Sequence, residues 1–392
     1  MRDGRHEFDV VIVGGGAIGC AVAAFLQGDP GFGGHVAIVE RDPTYRQASS
    51  SLSASSIRQQ FSTPENIRMS RFGFEFLRDL ARGPDPVDVG LEERGYLFLA
   101  PPEGAATLRE VHAVQRAEGA EVVLLDRPEL AGRFPWMRFD DVEAGSLGLA
   151  GEGWFDGFGL LQALRHRALA LGVEFVRDEV VGLDRGTGRI DRVRLASGRR
   201  LAPGTVVNAA GPWARQVAAM AGIELPIEAR RRCVFVFDVR ESLPGCPLVI
   251  DTSGVWFRPE GGSYICGTSP PAEDDLDGLP LDVDHRQFDE LLWPALAARV
   301  PAFDAIKPLR SWAGYYEYNT VDQNAILGRH PEITNLLFAN GFSGHGIQQA
   351  PAVGRALSEL IVNGRYLTLD LSVFGFERLV NGRRVVERNV IG

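Results

Sequence analysis

The sequence predicts a mixed α/β (α+β) chain, with a parallel sheet in one domain and an antiparallel sheet in a second. Three observations predict it. The apolar run at 10–13 leads into Gly14, Gly16 and Gly19 and then an alanine-rich helix. A second strand-glycine-helix unit runs through residues 206–213. Residues 233–239 alternate with the two-residue period of a strand, and a hairpin signal surrounds Glu260-Gly261-Gly262.

The unbroken apolar run at 10–13 suits a parallel strand covered on both faces. Gly14 and Gly16 permit a tight turn and close approach of a pyrophosphate, which would sit against bare backbone at the helix N-terminus formed by Ala17 and Ile18. Gly19 lets that helix lie close to the strand, and Ala21, Ala23 and Ala24 keep it slim. A second apolar strand at 36–39 ends in Glu40, placed to accept hydrogen bonds from ribose hydroxyls, with Arg41 next to it. The turn-rich residues 28–34 explain the longer than usual spacing. A small polar stretch containing Ser49, Ser50 and Ser51 follows the ribose acid, and that position predicts backbone and hydroxyl contacts to a cofactor.

Further on, a helix is expected from about 64 to 80, with Ile67, Phe72, Phe76 and Leu80 near one face, and a strand at 95–99. A helix at 160–171, a strand from 173 and a small meander with Val180 return the chain to the first domain. The buried strand 206–208 then runs into Ala210, Gly211 and Trp213, where another edge of a dinucleotide would rest. The acidic residues 273–277 lack the spacing of a calcium loop and read as solvated surface. Last, Gly341, Phe342, Gly344, His345, Gly346 and Ile347 head a helix with Ala350, Gly354, Leu357 and Ile361 on one face and Pro351 at an early helical position.

Composition narrows the function. The 392 residues are 45% hydrophobic with a net charge of -10, enough to bury a large core and unsuited to nucleic acid as a main partner. There is no apolar stretch of bilayer length and no signal-peptide core near the N-terminus, so a cytoplasmic protein is expected, with membrane-peripheral contact left open. The 4 cysteines and 7 histidines show no metal-ligand spacing, so no metal is expected. Lys307 is the only lysine, so any carboxylate clamp elsewhere must be an arginine, with its bidentate fork.

Taken together, these motifs resemble the D-amino-acid oxidase superfamily of FAD-dependent oxidoreductases, in the branch with sarcosine oxidase, dimethylglycine dehydrogenase and glycine oxidase. The carrying residues are the opening motif with Glu40-Arg41, residues 208–213, Ile326-Leu327-Gly328-Arg329-His330-Pro331, and residues 341–346, so the likeness is nearly end to end. Through Arg58-Gln59-Gln60-Phe61-Ser62, Pro64-Glu65-Asn66 and residues 346–351, the chain most resembles the subgroup whose animal members are mitochondrial proteins associated with respiratory complex I assembly.

The resemblance implies a Rossmann-like FAD-binding domain (1–85, 156–223 and 313–392) and an antiparallel-sheet substrate domain (86–155 and 224–312). It implies FAD contacts from Gly14, Gly16, Ala17, Ile18, Gly19, Glu40, Arg41, Ser49, Ser50, Ser51, Val180, Ala210, Gly211 and Trp213 in the first half of the chain. Gly341, Phe342, Gly344, His345, Gly346 and Ile347 would supply the rest, and the helix N-terminus there would stabilise an anionic reduced ring. The implied reaction oxidises the C–N bond of an amine or (N-methyl) amino acid by hydride transfer to flavin N5. Electrons would leave to a quinone, an electron-transfer protein or oxygen.

Departures from the family pattern sharpen these expectations. Tyr315 and Leu52 stand where relatives tether the flavin, which predicts noncovalent FAD. Ile265 replaces a lysine that promotes reaction with oxygen, which favours a dehydrogenase over an oxidase. Gln348 and Ser55 replace two carboxylate-binding residues, leaving Arg58 and Arg310 as carboxylate candidates and His345 and Tyr316 as further catalytic candidates. Trp256, Trp312, Tyr315, Tyr316 and Tyr318 would form an aromatic wall suited to an amine. Two other readings stand beside this one. One is a flavin-containing binding or assembly factor for a respiratory complex with little or no turnover; the other is a nicotinamide-dependent flavin hydroxylase, whose usual Gly-Asp is Gly344-His345 here.

Overall fold

Strand Glu7–Val13 runs through the middle of an eight-stranded sheet. The structure, a computed structural model, describes residues 6–83 and 86–388. The expected domain boundary at residue 85, and both chain ends, lie outside the described residues. Val10, Val11, Ile12 and Val13 are buried because both faces of the sheet are covered, which is why this strand carries no polar alternation. Val36–Glu40 and Arg200–Asn208 flank it in parallel, with Val13 opposite Val39 on one side and Asn208 on the other. Glu174–Arg177 and Leu336–Asn340 extend the parallel set, and Ile326–Arg329 closes one edge antiparallel. Val180–Arg185 and Ile190–Leu195 form the expected meander. The C-terminal ends of the parallel strands, at Val13, Glu40, Asn208 and Asn340, therefore share one edge of the sheet, where ligands of such folds bind.

Helices Ala17–Gln27, Pro64–Arg82, Gly157–Ala170 and Gly346–Asn363 pack on one side of this sheet, and Ala214–Ala219 with the meander packs on the other. Small residues set the helix spacing. A Cβ on Gly354 would lie 2.7 Å from the Ala21 backbone carbon, and one on Gly73 would lie 2.2 Å from the Gln348 carbonyl oxygen. Pro351 falls in the second turn of its helix rather than the first, so the Ile347 carbonyl lacks its usual i+4 donor.

The second sheet also has eight strands, in the order Lys307–Asn319, Ile227–Asp238, Ser263–Gly267, Trp256–Glu260, Leu248–Ile250, Tyr96–Ala100, Ala144–Gly148 and Val122–Asp126. It is antiparallel but for one pair, Leu248–Ile250 beside Tyr96–Ala100. The hairpin around Gly261 forms as expected. Residues 233–237 differ from expectation, being buried on both faces rather than half-exposed. Cys233, Phe235 and Phe237 join the main core against this sheet, while Val234 and Val236 pack with Ile265 beneath Ala54, Trp256 and Trp312. The long strand Lys307–Asn319 pairs along its length with Ile227–Asp238 and passes position 313 without a break. Among the described residues, no helix is long and apolar enough to cross a membrane, and no group of His, Cys, Asp or Glu is placed to hold a metal.

Candidate functional site

Gly14 turns the first strand into its helix at φ +102°, and a Cβ there would lie 2.4 Å from the Ala209 carbonyl oxygen, so conformation and space both require glycine. Gly19 serves packing, since a Cβ there would meet the Gly14 oxygen at 2.0 Å. The Gly15 N–H donates to Glu40 Oε2 at 2.7 Å and the Asp42 N–H to Oε1 at 2.8 Å. Each carboxylate oxygen keeps a further lone pair for a hydroxyl. The helix begins at Gly16 with no side-chain cap, and Ser50 Oγ accepts from the Ala17 N–H at 3.1 Å. That leaves a helix N-terminus open to an anion.

Gly14, Gly16, Ala17, Glu40, Asp42 and Ser50 line one cavity, walled further by Ile18, Arg41, Val180, Ala210, Gly211 and Trp213, whereas Gly19, an expected cofactor contact, does not line it. The Arg41 guanidinium lies 3.9 Å from the centre of the Trp213 ring. The serines form a short helix, Ser49–Leu52, in which Ser49 Oγ donates to the Tyr315 carbonyl at 2.6 Å. Ser49 and Ser50 line the cavity and Ser51 does not; its buried hydroxyl has no partner among the described residues.

A second cavity adjoins the first through Ala17, Ile18, Ser49, Ser50 and Glu317. It is bordered by Phe342, Gly344, His345, Gly346 and Ile347, at the uncapped N-terminus of helix Gly346–Asn363. Gly341 holds the turn at φ +78° without lining either cavity. A Cβ on Gly344 would meet the Tyr316 ring at 2.5 Å, so Tyr316 packs directly on the bare turn.

Arg58 is the dominant charge here. It is buried, its Nη2 donates to His345 Nε2 at 2.9 Å, and its guanidinium lies 4.5 Å from the Phe61 ring centre and 5.1 Å from that of Phe98. Among the described residues, no carboxylate pairs with it. Because a guanidinium only donates, His345 Nε2 must be the acceptor, which leaves the imidazole proton on Nδ1. Burial, then the Arg58 charge, push His345 down to about 3, so the ring is neutral. Burial also raises the Tyr316 phenol and keeps it protonated. Beneath Arg58, the fully buried Glu152 accepts from the Gln59 and Gln60 backbones at 2.5 and 3.1 Å and from the Gln60 amide at 2.9 Å. Gln348 Oε1 accepts from the Arg58 N–H at 2.9 Å. The segment 58–60 is thus held from both sides.

Arg310 does not join the cluster. It lies exposed on Lys307–Asn319, outside both cavities. Trp256, Tyr315 and Tyr316 line the second cavity; Trp312 and Tyr318 do not. Trp312 instead donates to the Leu52 carbonyl at 2.9 Å. Sequence reasoning missed Glu152, Arg232 and Glu317, none of which belongs to a motif that marks a site. Residues 273–277 lie at the surface as expected, with Asp275 half-buried. There Arg232, which lines the second cavity, grips Asp275 through two bonds of 2.6 and 3.0 Å, and Asp277 pairs with Arg215.

A family model described as FAD dependent oxidoreductase matches residues 9–360. The chain belongs to that family. FAD-dependent oxidoreductase domain-containing protein 1 of Xenopus laevis is 44% identical, over 98% of this chain and 85% of the frog protein. A glycine oxidase of Geobacillus kaustophilus (strain HTA426) is 28% identical over 95% of this chain and 97% of its own. The crystal structure of L-proline dehydrogenase from P. horikoshii superposes with a TM-score of 0.86 at 27% identity, covering 97% of this chain and all of that one. Membership in the FAD dependent oxidoreductase family implies FAD, and the site fits it: a glycine cradle, two uncapped helix N-termini and an acid poised for a ribose lie along adjoining cavities.

Proposed function

We propose that the chain is an FAD-dependent dehydrogenase that oxidises the C–N bond of an amine or amino acid bearing a carboxylate. The observation that carries this reading is Arg58, a buried guanidinium in the second cavity with no carboxylate partner among the described residues. Bound FAD would supply the hydride acceptor. Arg58 would hold the substrate carboxylate in a dry, aromatic setting where a charge-assisted pair is strong. His345, neutral and engaged as an acceptor, fixes the guanidinium edge instead of carrying charge to the substrate. Tyr316 offers a neutral phenol beside it. The names of the glycine oxidase and L-proline dehydrogenase relatives support an amino-acid substrate.

Noncovalent FAD is supported by the tethering positions, since Tyr315 gives its hydroxyl to the Leu279 carbonyl at 2.7 Å and Leu52 is apolar. Cys233 lines the second cavity, but burial raises its thiol and disfavours the nucleophilic thiolate. The dehydrogenase reading is supported by Ile265, buried among Val234 and Val236 where a lysine would be needed. A cytoplasmic setting, with electrons leaving to a quinone, an electron-transfer protein or oxygen, belongs to the same proposal.

A second reading, a flavin-containing binding or assembly factor with little turnover, is favoured by Gln348, whose carbonyl is spent on the Arg58 backbone. An anaerobic titration of the flavin absorbance against N-methyl amino acids, D- and L-amino acids and simple amines separates the two. Bleaching by one class, with slow recovery in air, supports the dehydrogenase. A flavin that dithionite reduces and no amine reduces supports the second reading.

A further inference from the structure

Where the two cavities meet, the long strand Lys307–Asn319 presents a carboxyl group that nothing so far accounts for. Glu317 lines both cavities and is 9% exposed. Its backbone carbonyl accepts from the Ser343 N–H at 3.1 Å, which ties it to the glycine-rich turn. The Gly341 and Phe342 N–H groups also act on its side chain. Its Oε2 is buried with no hydrogen-bond partner among the described residues. A buried polar atom without a partner is rare enough to need a reason. The two oxygens thus have different surroundings, Oε2 alone being buried without a partner among the described residues. An un-ionised acid matches that asymmetry, with a carbonyl oxygen that accepts and a hydroxyl that donates.

We propose that Glu317 is a cofactor-binding residue, which in its acid form donates a hydrogen bond from Oε2 to an acceptor atom of bound FAD at the junction of the two cavities. The inference rests on the FAD reading and adds to it a specific donor that the glycine motifs do not reveal. Burial pushes Glu317 up to about 8, with the Gly341 and Phe342 backbones opposing. Of the elements packed against its strand, Ser49–Leu52 and Gly211–Trp213 bring no titratable group. The neighbouring strand brings Glu228, paired with Arg230, then Arg230 and Arg232, paired with Asp275, Arg231, which donates to the Pro280 and Asp282 carbonyls, and the Cys233 thiol, raised by burial; the turn brings the neutral His345. No charged neighbour figures among the causes of the Glu317 shift. An anionic dinucleotide favours the protonated acid further, so binding FAD above the Glu317 pKa draws in a proton.

The test is FAD release from the holoprotein on dilution, read by recovery of flavin fluorescence across pH. The dissociation constant should rise about tenfold between pH 7 and pH 9 in wild type, and Glu317→Gln, neutral throughout, should show no such slope. A second measurement needs no variant: calorimetry of FAD binding at pH 9 in buffers of different ionisation enthalpy should show uptake of about one proton per FAD. A wild-type affinity independent of pH, an equal slope in Glu317→Gln, or no proton uptake overturns this proposal alone. Protein that carries no flavin at any pH overturns it together with the FAD reading.

Discussion

A guanidinium taken out of water with no carboxylate to meet it costs several kcal/mol unless its surroundings compensate. Around Arg58 the compensation is partial: two aromatic faces, one imidazole nitrogen and, further off, the Tyr96 phenol and the carboxyls of Glu387 and Glu152. That residual deficit is what a substrate carboxylate would relieve. Arg58→Lys should therefore lower kcat/KM for the amino-acid substrate by about a hundredfold, since losing a bidentate charge-assisted pair costs about 2–5 kcal/mol, while flavin content stays unchanged. Steady-state kinetics beside the flavin-to-protein absorbance ratio checks both halves.

Glu152 makes a second prediction at the same scale. Burial raises its folded pKa from the ordinary 4.5 to about 7, so the fold prefers the protonated acid. Its contribution to stability is full below pH 4.5 and is lost as pH rises toward about 7, on the order of 3 kcal/mol across that window. Glu152→Gln carries no such titration. Its urea-unfolding free energy, relative to wild type, should improve steadily from pH 4.5 to pH 7 and level off above.

At the scale of elements, the cofactor cleft depends on how closely two helices approach. Ala17–Gln27 and Gly346–Asn363 each present an uncapped N-terminus to the cleft, and the Ala21–Gly354 contact sets their separation. Gly354→Val should lower stability by about 1–3 kcal/mol in urea unfolding and weaken FAD retention in the same variant, because overpacking spreads the pair that frames the site. These helices were legible in the sequence, since alanines and glycines on one face and a strand-glycine entry are local patterns. Residues 233–237 were misread as half-exposed: Cys233-Val234-Phe235-Val236-Phe237 is apolar throughout, as a strand covered on both faces should be, and only the fold shows that Ala54, Trp256 and Trp312, distant in sequence, cover the second face. The pairing of Asp275 was not legible either, since Arg232, which grips it, lies on a strand some forty residues earlier in the chain.

For the molecule as a whole, the cleft runs from the edge of the parallel sheet to the inner side of the second sheet, with Lys307–Asn319 reaching both cavities. A ligand filling both cavities bridges the two sheets, so unfolding either one must release it. FAD at a hundredfold excess over its dissociation constant should stabilise the chain by about 2.7 kcal/mol, seen as a single thermal transition that moves upward with added FAD. Two transitions, only one of them responding to FAD, would show that the sheets unfold independently.

The sequence by itself determined the parts that short-range chemistry dictates. Among these are a glycine turn that only glycine can make at Gly14, an acid at the end of the second strand, and a glycine-rich entry to the last long helix. Each is a local pattern whose physical requirement lies within a few residues of itself. Tertiary structure alone decided which charges share a cavity. It brought Arg58 against His345 and left Arg310 at the surface. It also buried Glu152 beneath the segment that carries Arg58 and set Glu317 between the two halves of the cleft. Burial and pairing depend on the whole fold, and they, rather than residue type, set whether a buried acid is charged and whether an arginine is free to hold a substrate.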